Sequence, residues 1–202
     1  EMRARYYRTS TIGHNTLVFD GECQPPTADA PIVRSRFRAN MSVGVIDLTE
    51  AYPRAARVLR GFALIAGRHA VIVDEIVPNE KLSSVDWQLH TRAHVTSADR
   101  VATLTAPGEG DGNGAAVCYL RVIEPDCGEL IVLPATPSEP PGQNPNDGVM
   151  KIVLRLEQVA GPVRLAVLLT PDAQFCVEPR LPAAVRQPLS EWAQPTERAQ
   201  PS

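Results

Sequence analysis

Arg57–Val77 reads RVLRGFALIAGRHAVIVDEIV, two apolar runs flanking Gly67-Arg68. Glycine supplies the positive φ that a tight reversal between two strands needs. Along the second run Ala70, Ile72, Asp74 and Ile76 face one way, and Val71, Val73, Glu75 and Val77 the other. Both faces begin apolar, as they must on a strand covered from both sides. The stretch therefore predicts a hairpin, Arg57–Ala66 and His69–Val77, inside a β-sandwich. His69, just past the turn, is expected to be exposed.

Further strand-like segments extend outward from this hairpin. Upstream are Thr16–Phe19, running into the turn Asp20-Gly21, and Ser42–Asp47, ending near Tyr52-Pro53. Downstream are Val85–Val95, Arg100–Thr105, Ala115–Ile123, Leu130–Leu133, Met150–Val159 and Val163–Thr170. Val85–Val95 alternates: Val85, Trp87, Leu89, Thr91, Ala93 and Val95 share one face, and Asp86, Gln88, His90, Arg92 and His94 the other. That pattern predicts a half-buried strand with a polar outer face. Pro107–Gly114 and Pro134–Gly148 read as loops. The expected fold is an all-β antiparallel sandwich of about ten strands over residues 1–177. A Pro-rich tail, 178–202, is expected to be largely disordered, apart from a short docking segment around Leu189–Trp192.

Composition narrows the function. The 19 prolines argue against a helical bundle and fit strands and loops. A net charge of −3 with no Lys/Arg cluster carries no nucleic-acid footprint. The longest apolar runs, such as Ala70–Val73 and Ala166–Leu169, have strand length, far short of a membrane span. No apolar signal segment follows Glu1-Met2-Arg3. Cys23, Cys118, Cys127 and Cys176 form no C-x-x-C pair, so a zinc ribbon is not expected; free buried thiols and a disulfide both remain open.

The residues that carry chemistry begin with Tyr6-Tyr7-Arg8 leading into Ser10-Thr11-Ile12-Gly13-His14-Asn15-Thr16-Leu17-Val18-Phe19-Asp20-Gly21, with Gln24 just after. Asp47 through Tyr52-Pro53, Arg60-Gly61-Phe62, Val71–Glu75 and Trp87-Gln88-Leu89-His90 follow in order. This ordered string resembles the heparinase II/III-like polysaccharide lyases over roughly residues 5 to 95. The resemblance implies the C-terminal sheet region of an enzyme that cleaves uronic-acid polysaccharides, glycosaminoglycan or alginate, by β-elimination. It also implies a helical domain preceding the sheet region, a sugar cleft between them, and export to the periplasm or outside the cell. In that family the histidine of the His-Asn-Thr segment ligates zinc, a role that falls on His14. The family's partner ligands, an H-x-H and an Asp-Pro-Gly-like segment, have no match here, and neither have its helical-domain catalytic groups. A longer parent protein is expected to supply them, with zinc weak or absent on this chain alone.

β-Elimination needs a base for the C5 proton, a proton donor for the leaving oxygen and neutralisation of the uronate. One imidazole satisfies neither that set nor a zinc site. The isolated chain is therefore expected to be inactive. Tyr6, Tyr7 and Arg8 could contact a sugar and its carboxylate, or simply belong to a paired strand. His90 is expected at a packing or substrate-edge position, His94 in solvent, and Asn15 as a turn-former. Without the resemblance, His14 is a hydrogen-bonded strand-end histidine. The alternative function is a non-catalytic carbohydrate-binding sandwich that presents Tyr6, Tyr7, Arg8 and the face around His90 to an acidic polysaccharide.

Overall fold

The computed structural model describes residues 6–106, 115–138 and 140–193. The hairpin lies at its centre. Strands β4 (Ala55–Ile65) and β5 (His69–Pro78) pair antiparallel across a turn at Ala66 (φ 50°) and Gly67 (φ 67°). They sit mid-sheet in an eight-stranded antiparallel sheet ordered β2-β3-β4-β5-β12-β9-β8-β7. Its other members are β2 (Ile32–Arg36), β3 (Met41–Asp47), β7 (His94–Ala98), β8 (Val101–Thr105), β9 (Val117–Glu124) and β12 (Val163–Thr170). A second sheet of four strands is ordered β1-β6-β11-β10, from Leu17–Phe19, Leu82–Thr91, Met150–Val159 and Glu129–Pro134.

The alternation along β5 sorts its side chains into two separate cores. Ile76, with Ile72 alongside, joins Trp87, Leu17, Leu154 and Leu165 between the sheets. Val71 and Val73 point away from the small sheet, into a second core with Val43, Val45, Leu59 and Leu168. The cover for that outer face comes from the C-terminal segment. A short helix α1 (Ala173–Val177), a second turn of helix α2 (Ala183–Arg186) and a 3-10 turn (Leu189–Glu191) lead to Val185, Leu189, Trp192 and Ala193, all buried there. The stretch from Glu178, read from sequence as mostly disordered, is therefore folded onto the sheet as far as Ala193. Residues 194–202 and the loop 107–114 lie outside the described residues. Gly61 permits this docking: a Cβ at that position would stand 2.3 Å from Leu189 Cδ2 and 2.9 Å from Trp192 Cζ3.

The antiparallel sandwich is as the sequence implies, with twelve strands among the described residues. Strand β2 was hidden because IVRSR puts arginines at alternate positions and has no apolar face to count. Val85–Val95 divides at Arg92-Ala93: β6 belongs to the small sheet and β7 to the large one. Its polar face is also not a solvent face. Asp86 is 7% exposed, paired with Arg155 through two hydrogen bonds of 2.8 and 2.6 Å, and Gln88 is 3% exposed. At the end of that face an N-terminal turn sets Tyr7 against His90 and Lys151. His69 also departs from expectation. It is buried, stacked on Phe175 at 3.9 Å, with Nδ1 2.8 Å from Thr170 Oγ1. The helix that closes over the sheet end is what buries it.

Apolar surface is left open where the large sheet extends past the small one. Phe62 and Leu64 are 41% and 46% exposed, beside Ile32 and Phe37. All four cysteines are free; Cys176 is buried, whereas Cys23 and Cys127 are exposed.

Candidate functional site

The site grows from the His14-Asn15-Thr16 turn, which enters β1 at the seam between the sheets. Asn15 is held from both sides. Its carbonyl accepts from Arg60 Nη1 of the large sheet at 3.2 Å. Its side-chain oxygen accepts from the His90 backbone N–H of the small sheet at 2.8 Å, and lies 3.1 Å from His90 Nδ1. Arg60 is anchored beneath by Asp74 through two hydrogen bonds, 2.7 and 2.9 Å, with Asp74 fully buried. Burial pushes the Asp74 carboxyl up, and the guanidinium pulls it back. Thr16 Oγ1 and Gln24 Nε2 both meet Tyr52 Oη, at 2.9 and 2.8 Å. That phenol donates to the Leu17 carbonyl at 2.8 Å, and burial raises its pKa to about 12. Asn15 is thus more than a turn-former: it orients His90.

The network fixes the tautomer of His90. A backbone N–H can only donate, so the Asn15 atom facing it is oxygen. Nδ1 faces the same oxygen and must carry a proton. In the neutral ring Nε2 is then an acceptor, and its partner is Tyr7 Oη at 2.8 Å. The phenol donates to the imidazole. Burial first, then Lys151 and His14, lower the His90 pKa to about 4, so the ring is neutral at physiological pH. Burial raises the Tyr7 pKa.

Tyr7 and Arg8 lie in a 3-10 turn, Tyr7–Thr9, which replaces the paired strand considered from sequence. Gly13 allows that turn to fold back: a Cβ there would stand 2.0 Å from the Tyr7 carbonyl oxygen. Tyr7 is buried, with its N–H donating to Gln143 Oε1 at 2.6 Å and Lys151 Nζ 5.8 Å above its ring. Lys151 stands opposite His90 in the β6–β11 register. Arg8 is exposed, gripped by Asn146 Oδ1 at 2.7 Å and Asn144 Oδ1 at 3.0 Å. Among the described residues neither Arg8 nor Lys151 forms an ion pair; the Asp86 carboxylate acts on Lys151 only at longer range. Tyr6, 41% exposed, stands at the rim.

Of the residues singled out in the sequence, Tyr7 and His90 meet directly, while Tyr6 and Arg8 flank Tyr7 along the chain and Arg8 reaches Asn144 and Asn146. His14 is exposed one residue before Asn15. Among the described residues no three His, Cys, Asp or Glu side chains gather where a metal could sit. Among the described residues, His14 has no companion donors to complete a four-coordinate zinc site. Lys151, Gln143, Asn144 and Asn146 carry no local sequence signal. They reach the site only through strand register and the return of a loop.

No protein-family profile and no curated protein matches the chain in sequence. Solved structures do match in fold. A heparinase III gene product superposes with a TM-score of 0.64 at 16% identity, over 81% of this chain and 24% of its own length. Heparan sulfate lyase HepC from Pedobacter heparinus gives 0.62 at 14%, with the same coverage of each chain. The chain thus spans about a quarter of those structures and shares with them a lyase-like sheet fold. No helix among the described residues is long and apolar enough to cross a membrane.

Proposed function

We propose that the chain is the sheet portion of a polysaccharide lyase acting on uronic-acid chains, and that the Tyr7–His90 face forms one wall of its sugar cleft. The observation that carries this reading is a neutral His90 accepting from a buried Tyr7 phenol, with the cations Arg8 and Lys151 nearby, neither of them in an ion pair among the described residues. Two such cations suit the carboxylate of a uronate or a neighbouring sulfate. The Tyr7–His90 pair holds its proton at Oη, directed at a neutral Nε2, and so sets a fixed proton-bearing group beside the cleft. Tyr7 is too buried to stack on a sugar, so Tyr6 is the aromatic that a ligand meets first.

The remaining elimination machinery, and the other donors of any zinc bound through His14, belong in this reading to a helical domain of a longer protein. The exposed Phe62–Leu64 surface supports such a neighbour. Export to the periplasm or beyond belongs to the same proposal.

The test is calorimetric titration of the purified chain with heparan sulfate and alginate oligosaccharides, with ultraviolet detection of unsaturated uronate. Binding without product is expected. Arg8→Gln and Lys151→Gln should each weaken binding roughly tenfold, the scale of one lost charge-assisted contact. Unchanged affinity in both variants would overturn the assignment of this face.

A further inference from the structure

A second group of cationic side chains lies on edge strand β2 of the large sheet, away from the Tyr7–His90 face. The chain leaves edge strand β2 at Arg36 and runs on through Phe37-Arg38, so Arg34, Arg36 and Arg38 fall at alternate sequence positions, the first two on the strand itself. Arg34 and Arg36 pair with Val45 and Val43, whose side chains enter the outer core, so both arginines project to the face that carries the C-terminal segment. Two adjoining depressions open there, of about 800 and 480 Å³, and both are lined by Arg36 and Arg38. Phe37, 75% exposed, borders the larger one, and Glu191 is the acid in its lining.

The three guanidinium groups are under-used by the protein. Arg34 Nη1 donates to the Ala193 carbonyl at 2.9 Å, and Arg38 Nη1 to the Phe37 carbonyl at 2.9 Å. Arg36 Nε is buried with no hydrogen-bond partner. Among the described residues none of the three forms an ion pair. Charge on an edge strand discourages sheet-to-sheet pairing, but that purpose requires no groove and no buried donor left open. Alternate strand positions lie roughly 7 Å apart, a spacing that suits successive charged groups of a linear polyanion. Arginine forks bind carboxylate and sulfate alike. A nucleic-acid groove would interleave several stacking aromatics, and this one offers Phe37 alone.

We propose that the Arg34–Arg36–Arg38 groove is a secondary site that holds an acidic polysaccharide at a distance from the Tyr7–His90 face. The choice of polysaccharide rests on the functional reading above; the groove itself does not. Arg36→Gln/Arg38→Gln is the variant of choice, because it keeps the aliphatic stems and leaves the Arg34–Ala193 bond intact. Binding of dextran sulfate, polygalacturonate, neutral dextran and an oligo-dT strand would be measured for wild type, this variant and Lys151→Gln, with thermal unfolding as the check on folding. A folded double variant should lose about tenfold or more in affinity for both acidic polysaccharides, while neutral dextran binds none of the proteins. Wild-type affinity in the double variant overturns the site, whatever Lys151→Gln does. Preferential binding of oligo-dT, abolished by the double variant, overturns the polysaccharide assignment. Loss in the double variant with no effect of Lys151→Gln upholds the groove and counts against the Tyr7–His90 wall.

Discussion

Tyr7 Oη donates to His90 Nε2 across 2.8 Å, and the direction of that bond is set at the other side of the ring, where Asn15 Oδ1 faces both Nδ1 and the His90 backbone N–H. The relationship joins a residue from an N-terminal turn to one at the end of β6. In the neutral ring Nδ1 donates to Asn15 and Nε2 accepts from Tyr7. Protonation would add an N–H at Nε2, facing a phenol that must then give up its donor role and accept.

Tyr7→Phe removes the donor and keeps the ring. The neutral imidazole loses the bond that favours it, so the His90 pKa should rise by roughly 0.5–1 unit, equivalent to a hydrogen bond of about 1 kcal/mol. NMR titration of the imidazole carbon-bound protons reads this directly. An unmoved pKa would mean that the phenol does not donate to Nε2.

The depressed His90 pKa makes stability depend on pH with a defined sign. Its folded value of about 4 lies below the ordinary 6.5, so between these limits the unfolded chain binds more protons. The contribution is present in full above pH 6.5 and is lost as pH falls toward 4. Its size should be roughly 1–2 kcal/mol after allowance for solvent screening. Urea unfolding at several pH values, compared with His90→Gln, isolates it from carboxylates that titrate nearby; parallel curves for the two proteins would refute it.

Asp74→Asn leaves Arg60 buried with a neutral partner. Breaking a buried ion pair on one side costs about 3–5 kcal/mol. Because Arg60 also holds the Asn15 carbonyl, the His90 chemical shifts should move although the mutation lies in the large sheet. Stability loss with an unperturbed His90 would show that the Arg60–Asn15 contact does not position the ring.

Gly61→Ala introduces a methyl against Leu189 and Trp192. Overpacking of this kind costs about 1–3 kcal/mol, and the least anchored partner yields first. Cleavage by protease within residues 178–193 should accelerate while β-sheet circular dichroism persists. Equal cleavage rates would mean that the C-terminal segment does not need that close approach.

The central hairpin was legible because its turn residue and its two apolar faces agree on one answer. Tyr7, Arg8, His14 and His90 were recoverable as candidates from their order along the chain. Lys151 was not, because its meeting with His90 depends on the β6–β11 register, which sequence periodicity does not encode. The split of Val85–Val95 was invisible for a related reason: alternation continues unbroken through Arg92-Ala93, and only the two sheets' separation in space divides it. The covered polar face of β6 likewise depends on what lies over it, a tertiary fact. Trp192 was found because a large apolar group in a polar stretch has few other uses.

The small sheet carries a kinetic consequence. Its strand pairs join Leu17 to Trp87 and Trp87 to Leu154, and Tyr7 reaches His90 across 83 residues. The run β2 to β5, by contrast, is a meander of neighbours in sequence. Contacts that close short loops form first, and distant ones wait on the entropy of bringing their ends together. The large sheet is therefore expected to nucleate on its hairpins, and the Tyr7–His90 face to assemble last. On a ribosome, that face has no existence until β11 has emerged.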